Sequence, residues 1–200
     1  MSLIGRATAL CALSILSVSA SSLGNAPTKP KAKPQAKEAV AKPLRAKYLV
    51  TVADDFIINI YHNGKQVPDA QRNLVDEIYG ATVEHIKIEV KKGDWLVFNV
   101  VNNRMRWGGA SYFAVAGCCE KNEFGFTSKL DDGAWSACDS LKEVDDFIAK
   151  KKYLRHNAVR RSEYVWPRGV DLMQGYAGDR WAGEAVWGTS RNTWLKVIIE

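Results

Sequence analysis

Apart from one apolar run near the N-terminus, Ala7 to Ala20, the chain has no long hydrophobic stretch, and that run is too short to span a bilayer. Nothing reads as a transmembrane segment of the mature chain. Histidine is scarce: His62, His85 and His156 are far apart, and none of the four cysteines stands at zinc-finger spacing. There is no G-x-S-x-G elbow, no H-E-x-x-H pair, no phosphate loop and no dinucleotide fingerprint. These absences remove the motif-bearing serine hydrolases, zinc proteases, nucleotide hydrolases and dinucleotide oxidoreductases. The sequence is read as that of a non-enzyme.

What the N-terminus does contain is ordered. Arg6 precedes the apolar run, which ends in the small residues Ser17-Val18-Ser19-Ala20. Charge, short apolar core and small-residue exit are the parts of a secretory signal peptide, so residues 1–20 are expected to be removed. Residues 21–47 then form a linker: Pro27 to Lys47 is almost wholly Pro, Ala and Lys and cannot offset its own ordering entropy. The chain holds 28 Lys+Arg against 22 Asp+Glu, and Arg6 with seven linker residues carries the excess. The remainder is near neutral, so no specific nucleic-acid face is expected. The expected location is secreted, periplasmic or cell-surface.

Residues 48–200 suffice for one domain with its own core. Phe56, Ile58 and Ile60 alternate toward a core and Asn63-Gly64 supplies a hairpin turn; Ile86, Ile88 and Val90 alternate, and after Lys92-Gly93-Asp94 so do Leu96, Phe98 and Val100. By the same alternation His62 falls on the core side and His85 on a solvated face. Ser111 to Val115, Glu184 to Trp187 and Trp194 to Ile199 read as further strands. One short α-helix interrupts them, opened by a capping box from Ser140 to Glu143, with Leu141, Val144, Phe147 and Ile148 on one face. Many short strands with a single inserted helix predict a mainly β, antiparallel β-sandwich. After export three cysteines remain, and an oxidising compartment predicts a disulfide from Cys138 to Cys119, or else to Cys118.

The run Thr51-Val52-Ala53-Asp54-Asp55, the strand Phe56 to Tyr61, Asn63-Gly64-Lys65 and Val67, then Lys92-Gly93-Asp94, Asn102-Asn103, Gly108-Gly109 and the strand Ser111 to Ala116 resemble the opening of galactose-binding-like β-sandwich modules. The resemblance covers roughly residues 49–117. Beyond it, Phe126-Thr127-Ser128, Asp131 to Trp135 and the closing Ala185-Val186-Trp187 are similar to segments of some members, whereas Cys118-Cys119 and the helix depart from the pattern. It implies a jelly-roll carbohydrate-binding or accessory module without a catalytic cofactor. It also implies a structural calcium as an option, for which Asp131 and Asp132 offer oxygen donors.

Seven tryptophans sharpen that expectation, because a flat ring stacks on the apolar face of a sugar. Trp95, Trp187 and Trp194 lie in strand patterns and read as core. Trp107, Trp135, Trp166, Tyr176 and Trp181 lie in expected loops, where they either contact ligand or plug the sandwich end. Arg104, Arg106, Asp179 and Arg180 are polar neighbours able to complete a site. Asp54 and Asp55, as strand neighbours, should point apart and not act together. The expected partner is a glycan; the alternative is a cell-surface protein in a structural or assembly role, and a glycoside hydrolase-like enzyme comes third. If the N-terminal reading holds, intact-mass measurement of the exported product finds a chain beginning at Ser21; a product that retains Met1 refutes it.

Overall fold

The apolar runs pair as antiparallel strands throughout. The computed structural model describes residues 42–78, 80–102, 111–130, 133–150, 160–161 and 167–200. In chain order the strands are β1 (Leu44–Ala46), β2 (Tyr48–Asp54), β3 (Phe56–His62), β4 (Lys65–Gln66), β5 (Arg72–Ile78), β6 (Ala81–Ile86), β7 (Val90–Lys91), β8 (Trp95–Val101), β9 (Tyr112–Glu120), β10 (Glu123–Thr127), β11 (Trp135–Cys138), β12 (Arg160–Arg161), β13 (Val186–Trp187) and β14 (Asn192–Ile198). The helices are α1 (Val144–Ile148) and α2 (Pro167–Ala177). Two five-stranded sheets, ordered β10-β9-β2-β6-β5 and β11-β14-β8-β3-β4, face each other. Between them lies a core built on Leu49, Ile86, Leu96, Phe98, Phe113, Leu195 and Trp187. This is the expected mainly β sandwich. β1 lies in what the composition assigned to the linker: it pairs with β7, and Ala46 is fully buried, so the sandwich domain includes residues before Tyr48.

Local turn chemistry explains the hairpins. Asn63 and Gly64 both take positive φ, 51° and 80°, as the two-residue turn joining β3 to β4 requires. Leu96, Phe98 and Val100 face inward as their alternation demands, as do Ile86, Ile88 and Val90. β3 behaves differently. Its register shifts between Ile57 and Asn59, so Ile57 and Ile60 are buried while Phe56 and Ile58 stay 43% and 39% exposed.

Arg72 accounts for the place of that bulge. From the start of β5 its guanidinium grips Glu84 of β6 with both prongs, Nε to Oε2 at 2.8 Å and Nη2 to Oε1 at 2.7 Å. It also donates to the Ile58 carbonyl at 3.0 Å and the Ile57 carbonyl at 2.7 Å, across in the other sheet. Successive carbonyls of a regular strand point opposite ways, and the bulge turns both toward one donor.

The outer faces are covered too. α2 packs on the β2 and β9 face over Val50, Val52, Ala114 and Ala116, bringing Met173 and Ala177 down onto them. This helix was not expected: Gly169 and Gly175 interrupt its apolar period. Gly169 is required, since a Cβ there would lie 2.6 Å from the Tyr112 ring. On the opposite outer face, α1 buries Phe147 and Ile148 against Val97, Cys138 and Trp194. The expected capping box does not form: Glu143 stands at the N-cap without a side-chain cap bond, and Leu141 is 77% exposed. A five-residue helix is too short to carry Leu141 onto its buried face.

The expected disulfide is absent, because all three described cysteines are free. Cys118 points out under α2 and Cys138 points out under α1, on opposite faces of the sandwich. The thiol of Cys119 is directed instead at the Arg45 carbonyl, 3.4 Å away. No described helix is long and apolar enough to cross a membrane.

The Arg72 and Glu84 side chains are only 13% and 8% exposed. Removing one partner strands a buried charge, so Arg72→Ala or Glu84→Ala is expected to cost about 3–5 kcal/mol in chemical denaturation. Replacing both together with apolar side chains should cost clearly less than either single change. Single variants as stable as the wild type would refute the clamp.

Candidate functional site

Three polar groups converge where β2 crosses to β3. Asp54 ends β2, and Asp55 lies in the bend that carries the chain into the other sheet. Strand alternation stops at Asp54, so these two carboxyls do not diverge as expected. They are hydrogen-bonded, and the Asp54 carboxyl is pushed up to about 7, first by burial, then by the charge and hydrogen bond of Asp55. Two carboxyls can bond only with a proton between them, so below about 7 the pair holds that proton.

The neighbours are polar and fixed. The Asp55 N–H donates to the Val101 carbonyl at 2.9 Å, and the next residue, Asn102, donates its backbone N–H to Arg191 O at 2.9 Å. The Asn102 side-chain amide reaches Ser111 Oγ at 3.4 Å. Asn102 and Ser111 are the described residues on either side of the segment 103–110. Phe56, exposed and paired with Val101, stands beside the bend. Tyr112, opposite Asp54 on β9, is buried with its hydroxyl unbonded. Burial raises its ionisation well above the ordinary tyrosine range.

The other expected site residues are dispersed. Trp135 is buried between the sheets, its ring 6.5 Å from Phe98 and 6.3 Å from Phe113. Trp181 is buried under α2 with its indole N–H toward the Val115 carbonyl at 3.4 Å. Both are core residues, with no ring face open to a sugar. Tyr176 belongs to α2 and donates to Asp76 Oδ2 at 2.7 Å. Asp179 and Arg180 are exposed in the turn after α2, where the Arg180 N–H donates to the Asn122 side chain at 3.0 Å. Arg104, Arg106, Trp107, Trp166, Asp131 and Asp132 lie outside the described residues. Among the described residues no three His, Cys, Asp or Glu side chains are grouped to hold a metal ion.

Other ionisable groups have structural work. Asp94 accepts from His62 and Asn63, each at 3.0 Å, and from the Lys91 N–H at 2.9 Å, tying two turns together. Burial alone would raise its ionisation, but these bonds outweigh burial and lower it. His62 is thus half-buried at a sandwich end and not inside the core. Lys196, buried beneath α1, is brought down to about 8 by burial and then by Lys150. Its ammonium donates to the Phe147 carbonyl at 2.5 Å, next to the Ile148 carbonyl that accepts the Trp95 indole N–H at 3.1 Å. Two sheet side chains thereby satisfy the last carbonyls of α1.

No family model matches the chain, and no curated protein or solved structure matches it.

The carboxyl pair has a measurable signature. Asp54 binds its proton more tightly folded than unfolded, so its contribution to stability is complete below the ordinary value of 3.8 and is lost as pH rises through about 7. Asp54→Asn, which mimics the protonated form, should melt higher than wild type at pH 8 and no higher at pH 4. Equal melting shifts at both pH values would show that no proton is shared.

Proposed function

We propose that this chain is an exported, non-catalytic binding module that takes a polyhydroxylated ligand, of carbohydrate class, at the sandwich end around Asp54, Asp55 and Asn102. The observation that carries the reading is the hydrogen-bonded carboxyl pair near Asn102, with the exposed Phe56 ring beside it; in sequence, Arg104, Arg106 and Trp107 follow Asn102 closely. Carboxyl and amide oxygens accept from sugar hydroxyls, guanidinium groups donate to them, and an aromatic ring covers the apolar face. The signal-like N-terminus and basic linker fit a tethered module on the outside of a cell. The likeness to galactose-binding-like modules adds to this reading.

The same pair argues against glycoside hydrolysis. The two carboxyls of such an enzyme stand roughly 5 Å or more apart with the sugar between them, and carboxyls bonded to each other leave no such gap. A structural role at the cell surface is the second reading, favoured by exposed Ile58 and Leu74 on the open side beside Arg72.

A glycan array probed with the chain from Ser21, followed by titration of the hits, tests the proposal. Asp55→Asn, Phe56→Ala and Trp107→Ala should each weaken binding by about tenfold or more. Phe56→Ala should do so without lowering the melting temperature, because its ring is exposed. An array with no hits, or variants that bind like wild type, would move the weight to the structural reading.

A further inference from the structure

His85 is expected on a solvated face, but that face is covered by α2. Its ring lies between Tyr48 of β2, centroids 6.1 Å apart, and Tyr176 of α2, which it meets at 6.0 Å with the planes 87° apart. His85 Nε2 is buried and has no hydrogen-bond partner. In the neutral ring such a nitrogen is tolerable as an unused acceptor; once protonated it becomes a charged donor with no acceptor.

We propose that His85 is an acid-sensitive latch that holds α2 against the β10-β9-β2-β6-β5 sheet and releases it when the ring takes up a proton. The surrounding groups make the case. From β2, Tyr48 presents a phenol whose neighbours are the Cys118 thiol and Glu120, and Glu120 lies 3.5 Å from the Lys47 ammonium. From β5, Asn73 is the cross-strand neighbour of His85, and Asp76 supplies a carboxylate already bonded to the Tyr176 hydroxyl at 2.7 Å. From α2 the facing group is Tyr176 itself. An imidazolium here therefore keeps an unbonded N–H or draws Asp76 away from Tyr176. Either outcome loosens the helix. The aromatic faces attract a cation, but more weakly than an oxygen acceptor would. Burial accordingly lowers the ionisation of His85 below its ordinary value of 6.5. The latch is thus fully closed above that value and opens as pH falls through the lowered one. Release would bare the apolar strip of Val50, Val83 and Ala116 that α2 covers.

Hydrogen exchange of the full chain at pH 7.5 and pH 5, corrected for intrinsic rates, tests the latch. Protection of the Val170–Ala177 amides should fall several-fold at pH 5 while β8 and β14 keep theirs, and His85→Phe should abolish the difference. A proton NMR titration of His85 supplies a check that needs no variant at that position: its midpoint should lie below 6.5 and move upward in Tyr176→Ala. Unchanged α2 protection at pH 5, the same loss in His85→Phe, or a midpoint at or above 6.5 would overturn the proposal.

Discussion

The two sheets are held in one relation by Arg72, whose guanidinium joins Glu84 in its own sheet to the Ile57 and Ile58 carbonyls in the other, and much of the architecture follows from it. Four of the five guanidinium N–H groups are used, two on the carboxylate and two on the carbonyls of Ile57 and Ile58. A buried arginine is tolerable only when so fully bonded. The β3 bulge that lets it reach two successive carbonyls also fills that stretch of strand edge with a side chain. Together with the second register shift in β5, between Leu74 and Asp76, this blunts the open side against pairing with another strand. Ile58 and Leu74 stand exposed there because the fork, and not apolar packing, closes the gap.

The same fork marks where strand alternation could be read. On β8, alternation places Leu96, Phe98 and Val100 correctly, because that strand itself holds unbroken register with β14 and the extra residue lies in β3. At Phe56, Ile58 and Ile60 it fails, since one extra residue flips every side chain before it. Nothing local in Phe-Ile-Ile-Asn-Ile announces that residue; its cause sits in Arg72, fourteen positions after Ile58. Trp187 was legible as core from its strand, whereas Trp181 and Trp135 beside Gly and Asp were not.

Burial of both outer faces accounts for the remaining misreadings. An antiparallel sandwich is usually read with one wet face to each sheet. Here α2 and α1 dry both, and strands such as Tyr112-Phe113-Ala114-Val115-Ala116 are apolar on each side. The cysteines then serve as small apolar residues on opposite faces, and burial pushes the Cys118 thiol up to about 11, away from reactivity. His85 followed the alternation correctly; what the sequence could not declare was α2 over it.

The polar end obeys a different rule. Asp54 and Asp55 come together because the chain leaves one sheet between them, so the period that separates strand neighbours does not apply. Their shared proton and the neutral His85 are two results of the same dry surroundings, in which charge is disfavoured whichever its sign. The consequences for stability oppose each other. Asp54 makes stability fall as pH rises from 3.8 to about 7, while His85 makes it rise up to 6.5. Where the two windows overlap their slopes subtract, so the intact chain changes less with pH than either group alone would dictate. Replacing one group should therefore steepen the response through the other, which separates two opposed titrations from a chain that is merely insensitive to protons.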